Sequence, residues 1–518
     1  MTKKQKKISK TKTVLYVTLI ICFGKLLGFV REMLLADTYG ASIIVDSFLM
    51  SESITTIFLG WLTSFSVTFP PMYMNICQKK GKVAGNKYTN ALIALVISLC
   101  LLSIALCLYF GNIVLQISAP GFSDEAKNYT LQFLRVVIFM QIFLIPSNIY
   151  IAYLNCNDRK LEASFSTILY SIMQLMGVYL AKIFNNYMWL AWGVLFGSFI
   201  QLIFNIVCSL KRDYRFSRFK IKNNSILESL KIAIPVFVSN MIVEINTFVD
   251  KYFASLLSEG VVSILHYASR IRVLFSYIFS TILSTVFYPD LSAIAATEDE
   301  EKLADFTTNT LKWLTIIFVP LTIGCIVLSK SLMSLIYGHG MFSSESIEKT
   351  TSVFRFYSLS LFPLAIRDFL VKVLYAKKRM VYSMYVGIIT VGLNAIMNYI
   401  LSFTMQHNGI AFATSISAYI SVGIYLFVIR REDKVKLDNS INKLILKVLI
   451  AAISMGVCLF LFNILFDTVL LSKDWVIETI WIFTNVVVGC LLYFVLCIFF
   501  KIEEIRDLLD NIIKRICL

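Results

Sequence analysis

The chain has 518 residues, 58% of them hydrophobic and only 15% charged, with a formal net charge of +16. An ordinary soluble domain has about 25% charged residues, so this composition excludes that class, and its apolar content excludes intrinsic disorder. The positive excess sits in short connections between long apolar runs, which fits loops over an anionic leaflet and not a nucleic-acid interface.

The first segment, MTKKQKKISKTK, holds six lysines. After it, apolar stretches of about 20 residues or more recur along the chain, each long enough to cross roughly 30 Å of hydrocarbon as a helix. They predict about 14 transmembrane helices, near 13–36, 41–71, 88–116, 126–153, 162–183, 187–210, 226–253, 260–289, 306–335, 346–375, 379–403, 408–430, 441–466 and 474–500. Such runs are too long and too apolar for barrel strands, so the fold class is an all-α integral membrane protein. The first run contains Lys25 and Arg31 and is longer than a signal-peptide core, so it is expected to remain as a helix. If the basic start is cytoplasmic, the even-numbered connections are too. These hold most of the loop Lys and Arg, while the opposite loops hold only Lys127, Lys182, Lys330 and Lys473. That asymmetry predicts both termini cytoplasmic.

Spans 1 and 2 carry the strongest signal. Between Gly24 and Glu52 the chain reads GKLLGFVREMLLADTYGASIIVDSFLMSE, with Lys25, Arg31, Glu32, Asp46 and Glu52 where two bilayer helices are expected. An ionisable group at membrane depth costs about 3 kcal/mol or more and persists mainly beside a water-filled cavity or a partner. Five of them point to passage of something polar across a bilayer. Internal salt bridges joining spans 1 and 2 are the structural alternative. Lys25 and Arg31 differ by about 240° around a helix, so they do not stack on one face.

Phe29-Val30-Arg31-Glu32 near the end of span 1 has a counterpart in Phe248-Val249-Asp250-Lys251 near the end of span 7, and turns with Gly40 and Gly260 follow. The offset covers six spans, an even number, so the halves point the same way, as in a parallel repeat with the substrate site between halves. The pattern predicts two six-helix lobes related by a parallel pseudo-twofold, residues 1–210 and 226–430, joined by a basic cytoplasmic linker, 211–225. Spans 13 and 14, within 431–500, have no counterpart. An amphipathic cytoplasmic tail, 501–518, lines up Ile502, Ile505, Leu508, Leu509, Ile512, Ile513 and Ile516. It lies either on the inner leaflet or against cytoplasmic loops.

The second half adds Glu244, Asp250, Lys251, Arg270 and Arg272, then Arg367, Asp368 and Lys372 in span 10. Asp250 and Lys251 are expected at a span end, within reach of solvent. Arg270 lies deeper, where snorkelling to water is harder. An arginine fork suits a phosphate because it stays charged and gives two parallel hydrogen bonds. Arg272 is its partner or faces another helix. Cations from both halves around one cavity predict an anionic cargo. The eleven cysteines form no CxxC pair and read as packing residues; His266, His339 and His407 are too dispersed for a metal site. With no Walker loop, nucleophile elbow or HExxH, neither a cofactor nor an enzymatic activity is expected.

Several stretches taken together resemble the MurJ (MviN) family of lipid II flippases, within the multidrug/oligosaccharidyl-lipid/polysaccharide exporter superfamily. They are LLGFVREMLLADTYGASIIVDSFLM, SAPGFSDEAKN with Ala119-Pro120-Gly121-Phe122, YLNCNDR near Asn155, INTFVDKYFASLLSEGVVSILHYASRI through Arg270, YPDLS at Pro289 and IYGHGMF near Gly338. The resemblance implies two lobes around a V-shaped cavity whose cations hold the pyrophosphate and sugar head group, and a groove from spans 13 and 14 for the polyprenyl tail. It implies that Arg31 and Arg270 are cavity arginines, that Lys25 stands where Arg is commoner and Glu32 where Asp is common, and that Asp46 matches a family Asp. The chain departs from the pattern at Thr55 and Thr56, nearest the family's span 2 arginines, at Leu59-Gly60-Trp61, and at Ser269, where an acid usually precedes the arginine.

The expected function is a flippase in a bacterial cell (inner) membrane, moving a polyprenyl-diphosphate-linked glycan, most simply lipid II, between leaflets by alternating access. Lys25, Arg31, Glu32, Asp46, Arg270 and Arg272 are the expected cargo-binding residues. The expected partners are the undecaprenyl-diphosphate-linked glycolipid, membrane lipids, and a coupling ion or the membrane potential, with no nucleic acid. Alternatives are a flippase for another undecaprenyl-linked polysaccharide (capsule, O-unit or teichoic precursor), a multidrug antiporter, against which the cations count, and a scaffold for envelope assembly.

Overall fold

A computed structural model describes residues 3–211, 214–216, 224–297, 299–432, 440–465 and 475–516, and among them there are helices and no strand. In chain order these are α1 (Lys3–Tyr39), α2 (Ile43–Leu59), α3 (Ser64–Tyr109), α4 (Gly111–Ser118), α5 (Asp124–Val137), α6 (Met140–Cys156), α7 (Lys160–Ile183), α8 (Met188–Leu210), α9 (Asn224–Ser255) and α10 (Val261–Ile282). After a π-helical turn at Leu283–Phe287 come α11 (Tyr288–Ala296), α12 (Glu300–Val327), α13 (Ser329–Tyr337), α14 (Ser344–Ser358), α15 (Leu361–Ala376), α16 (Met380–Glu432), α17 (Ser440–Leu465), α18 (Trp475–Phe499) and α19 (Glu503–Ile516).

By length and composition, seven helical stretches among the described residues qualify as membrane spans, or eight if α5 and α6, bent by 42°, form one. The sequence predicts about 14. Part of the difference is that two of the seven are double: α2–α3 and α16 each cover two expected spans, with breaks at Gly81 and Gln406 where loops were expected. The remainder, α1, α9, α10 and the α14–α15 pair, include the segments that hold Arg31, Lys251, Arg270 and Arg367. The expected span 41–71 is itself interrupted by a 3₁₀ turn at Gly60–Thr63. Side chains satisfy its carbonyls: Trp61 Nε1 donates to Phe58 O at 3.1 Å, Thr63 Oγ1 to Gly60 O at 2.6 Å and Ser64 Oγ to Trp61 O at 2.6 Å. That spares the turn the cost of bare polar backbone in an apolar surround.

Contacts divide the chain into two compact units, Met1–Ser263 with Gly340–Phe342, and Ile264–His339 with Ser343–Leu518. In the first, α1 lies along α7, α7 and α6 along α8, α2 along α5, and α3 against both α6 and α9. The α3–α9 contact carries this unit past the 211–225 linker. Tyr214 of that linker is only 1% exposed; its hydroxyl lies 3.0 Å from that of Tyr150 and donates to Asn90 Oδ1. Where α7 crosses α8, Gly177 and Gly193 bring the backbones so close that a Cβ on either would lie 2.7 Å from the other's Cα. Small residues at such crossings are how helices pack without a hydrophobic drive between them.

In the second unit, α12 packs on α15 and α17, α14 and α15 on α16, and α17 on α18. A buried cluster joins Ile316 and Val319 of α12, Leu444, Val448 and Ala452 of α17 and Cys497 of α18 to Ile502 and Ile505. The tail helix α19 is therefore docked at its start on protein, and Lys312 holds Glu504 at 3.0 Å. Outside the apolar segments, Asp299 caps α12 by accepting from Lys302 N at 3.0 Å, and its hydrogen bonds with Lys302 hold the carboxyl below the usual carboxylate range.

Gly177→Ala places a methyl 2.7 Å from Gly193 Cα and 2.8 Å from Trp189 O. Overpacking against backbone should destabilise the protein by about 1–3 kcal/mol. The measurement is the thermal unfolding midpoint of detergent-purified protein, which should fall; an unchanged midpoint would mean that α7 and α8 separate at no cost.

Candidate functional site

In the first unit, Arg31 on α1 is 9% exposed and Glu32 2%. The Arg31 guanidinium donates through Nη2 to the Glu32 carboxylate beside it in sequence. Adjacent residues on a helix do not face each other, so the pair forms only because both long side chains turn into the same buried space. Glu52 of α2 and Tyr170 of α7 also lie within electrostatic reach of Arg31. Arg31 Nε is buried and has no hydrogen-bond acceptor among the described residues. Lys25, on the same helix, is exposed, as its 240° offset predicts.

Asp46 on α2 is 2% exposed and both its oxygens are engaged. Oδ2 accepts from Gly260 N at 2.7 Å; Oδ1 accepts from Ser263 N at 2.7 Å and from the Ser263 hydroxyl. A carboxylate from a different helix thus caps the N-terminus of α10, where unpaired amides and the helix dipole favour negative charge. Gly260 makes the approach possible: its φ is +84°, and a Cβ there would lie 2.8 Å from Ala41 O. The Ala119-Pro120-Gly121-Phe122 turn meets the end of α9, where a Cβ on Gly121 would lie 2.2 Å from Ser255 O. Ser123 then donates to Glu259 at 2.9 Å. Lys251, expected near solvent, instead reaches α2, donating to Leu49 O at 2.9 Å and Ser53 Oγ at 2.5 Å.

In the second unit, Arg270 on α10 donates from Nε to His266 Nε2 at 3.1 Å, and Arg272 stacks over the Tyr357 ring at 4.9 Å. The two arginines thus meet different partners. Arg367 pairs with its neighbour Asp368 at 2.8 Å. Asp368 also lines a cavity of about 10 Å³ with Ser276, Phe279, Ser280, Leu283, Phe318 and Ala365, far smaller than a typical ligand site. No group of three or more metal-ligating side chains gathers among the described residues.

Sequence reasoning missed Tyr170, His266 and the inward reach of Lys251. His266 precedes Arg270 by one helical turn, a signal available in the sequence; nothing marks Tyr170 there.

A family model described as "Lipid II flippase MurJ" matches residues 11–478. A relative from Thermotoga maritima, named "Probable lipid II flippase MurJ", is 26% identical over 506 residues, covering 97% of this chain and 99% of the relative. One of the same name from Buchnera aphidicola subsp. Baizongia pistaciae is 25% identical over 458 residues, covering 87% and 89%. Among solved structures, a lipid II flippase MurJ in an inward closed conformation superposes with a TM-score of 0.81 at 23% identity, over 96% of this chain and 100% of the other. An inward-facing multidrug resistance MATE family transporter of the MOP superfamily gives 0.67 at 14% identity, over 79% and 95%. At these identities the structural matches establish a shared fold.

Asp46→Ala leaves the Gly260 and Ser263 amides without their acceptor. Hydrogen bonds to a charged group contribute about 1.5–3 kcal/mol, so the purified variant should lose roughly that much stability, and Asp46→Asn, which keeps one acceptor oxygen, should lose less. Equal midpoints for all three proteins would show that the cap carries no load.

Proposed function

The chain belongs to the lipid II flippase MurJ family, and we propose that it translocates lipid II, a polyprenyl-diphosphate-linked glycan, from the inner to the outer leaflet of a bacterial cell membrane. The observation that carries the site assignment is Arg31, a buried guanidinium on a membrane helix whose Nε–H lacks an acceptor among the described residues. Arginine suits a diphosphate because its charge is permanent and its donors are coplanar. The step is movement of an intact lipid, so no covalent chemistry is required of the protein.

In this reading Lys25, Arg31, Glu32, Asp46, Arg270 and Arg272 serve the cargo path in unequal ways. Arg31 and Arg270 bind the anion. Glu32 holds Arg31 until cargo competes for it, and Asp46 keeps α2 on α10. The working parts are an N-terminal lobe (1–210), the basic linker (211–225), a C-terminal lobe (226–430), spans 13 and 14 (431–500) as a groove for the lipid tail, and the tail helix (501–518). Both termini are cytoplasmic, and the energy source is a coupling ion or the membrane potential.

In cells depleted of their own lipid II flippase, the wild-type chain should restore growth. Arg31→Ala should fail while accumulating normally, and Arg31→Lys should be intermediate, because Lys keeps the charge and loses the fork. Full growth with Arg31→Ala would remove the anion-binding role.

For topology, cysteines at Ser123, Ser343 and Asn408, in protein stripped of native cysteines, should react with an impermeant thiol reagent in intact cells, and one at Ser225 should not. The reverse pattern would invert the orientation.

A further inference from the structure

Gly340, Met341 and Phe342 come after α13 and just before Ser343, the cap residue of α14. They nevertheless pack with the first unit, while His339 and Ser343 on either side belong to the second. Their seat is the end of α1. Met341 N donates to Asp37 O at 2.9 Å, and Phe342 is buried. The backbones approach closely from both sides: a Cβ on Gly340 would lie 2.2 Å from Asp37 O, and one on Gly40 would lie 2.6 Å from Met341 O. Both glycines have a φ of +59°, in the left-handed region that favours glycine. Asp37 is itself fixed, since its Oδ2 accepts from Lys182 Nζ of α7 at 2.5 Å. The turn at 119–122 is built alike. There too a glycine meets backbone at a helix end, a buried phenylalanine follows, and the next residue, Ser123, caps α5 as Ser343 caps α14.

We propose that Gly340–Phe342 is a latch on the outer mouth: a tongue seated on the end of α1 while that mouth is shut, and withdrawn when it opens. In the flippase reading, on which this inference rests, the ends of α1 and α13 face outside and the two halves part there in each cycle. A tongue whose flanking residues belong to one unit and whose contacts belong to the other cannot follow both. The peptide chain cannot break, so the contacts must. A hydrogen bond and van der Waals packing suit that role, because both are lost within about 1–2 Å of withdrawal. The glycines make the seat selective. A side chain at 340 or 40 would meet a backbone oxygen, which cannot turn aside as the end of a flexible side chain can. Lys182, by holding the Asp37 carboxylate, keeps the receiving carbonyl in place for the tongue's return.

The test uses the full-length protein, stripped of native cysteines, in vesicles that contain labelled lipid II. Met341→Cys is paired in turn with Thr38→Cys, Tyr39→Cys and Ala41→Cys. At least one pair should oxidise to a disulfide, since the backbones at Asp37 and Met341 lie within hydrogen-bonding distance. The reduced pair should translocate lipid II, the disulfide form should not, and a thiol reductant should restore the rate. A pair that is inactive when reduced is replaced by the next. Gly340→Ala and Phe342→Ala should each slow disulfide formation about 10-fold by unseating the tongue. Phe342→Ala does so without backbone strain, and it stands alone if Gly340→Ala does not fold. No disulfide at any of the three positions, translocation by the disulfide form at the reduced rate, or unchanged disulfide formation in the variants would each overturn the latch. With the wild-type chain still translocating, the flippase reading would survive any of these results. No translocation by the wild-type chain would overturn that reading, and this inference with it.

Discussion

A charge taken out of water into a membrane helix persists only where a partner meets it, and in the first unit α2 takes part in several such meetings. Its Asp46 carboxylate caps α10. Its Leu49 carbonyl and Ser53 hydroxyl receive Lys251 from α9. Its Glu52 lies within reach of Arg31. Close backbone contacts at Gly260 and Gly121 work in the same direction, bringing turns near enough for these polar groups to find one another.

The partners differ in kind, and the difference bears on function. Asp46 is bound at both oxygens by groups that cannot move without shifting the start of α10, which makes it a structural clasp. Glu32 meets Arg31 through a side-chain contact, and in the proposed reading an anionic head group competes for that guanidinium. Arg270 has a neutral neighbour and Arg272 an aromatic face.

The helical membrane class was legible because hydropathy over about 20 residues depends on composition alone. Arg31, Glu32 and Asp46 were legible as outliers against that background. The breaks were harder to place: Gly60–Thr63 lies inside an apolar run, and its turn depends on hydroxyls bonding carbonyls three residues back. Partner identity was least accessible. Asp46 and Ser263 are far apart in sequence, Lys251 looked like a solvated helix end, and Tyr170 carries no mark of its proximity to Arg31. Such pairings follow from packing between helices, which periodicity does not encode. The resemblance of the six quoted stretches supplied what periodicity could not, and the family match over residues 11–478 bears it out.

The central claim is that this chain moves lipid II and that Arg31 is needed for the movement. The direct measurement is translocation of labelled lipid II in vesicles reconstituted with purified protein, with an imposed ion gradient and potential. The account predicts faster translocation with the wild-type chain than in protein-free vesicles, and none above that background with Arg31→Ala reconstituted at equal density. Translocation by Arg31→Ala at the wild-type rate would contradict the account.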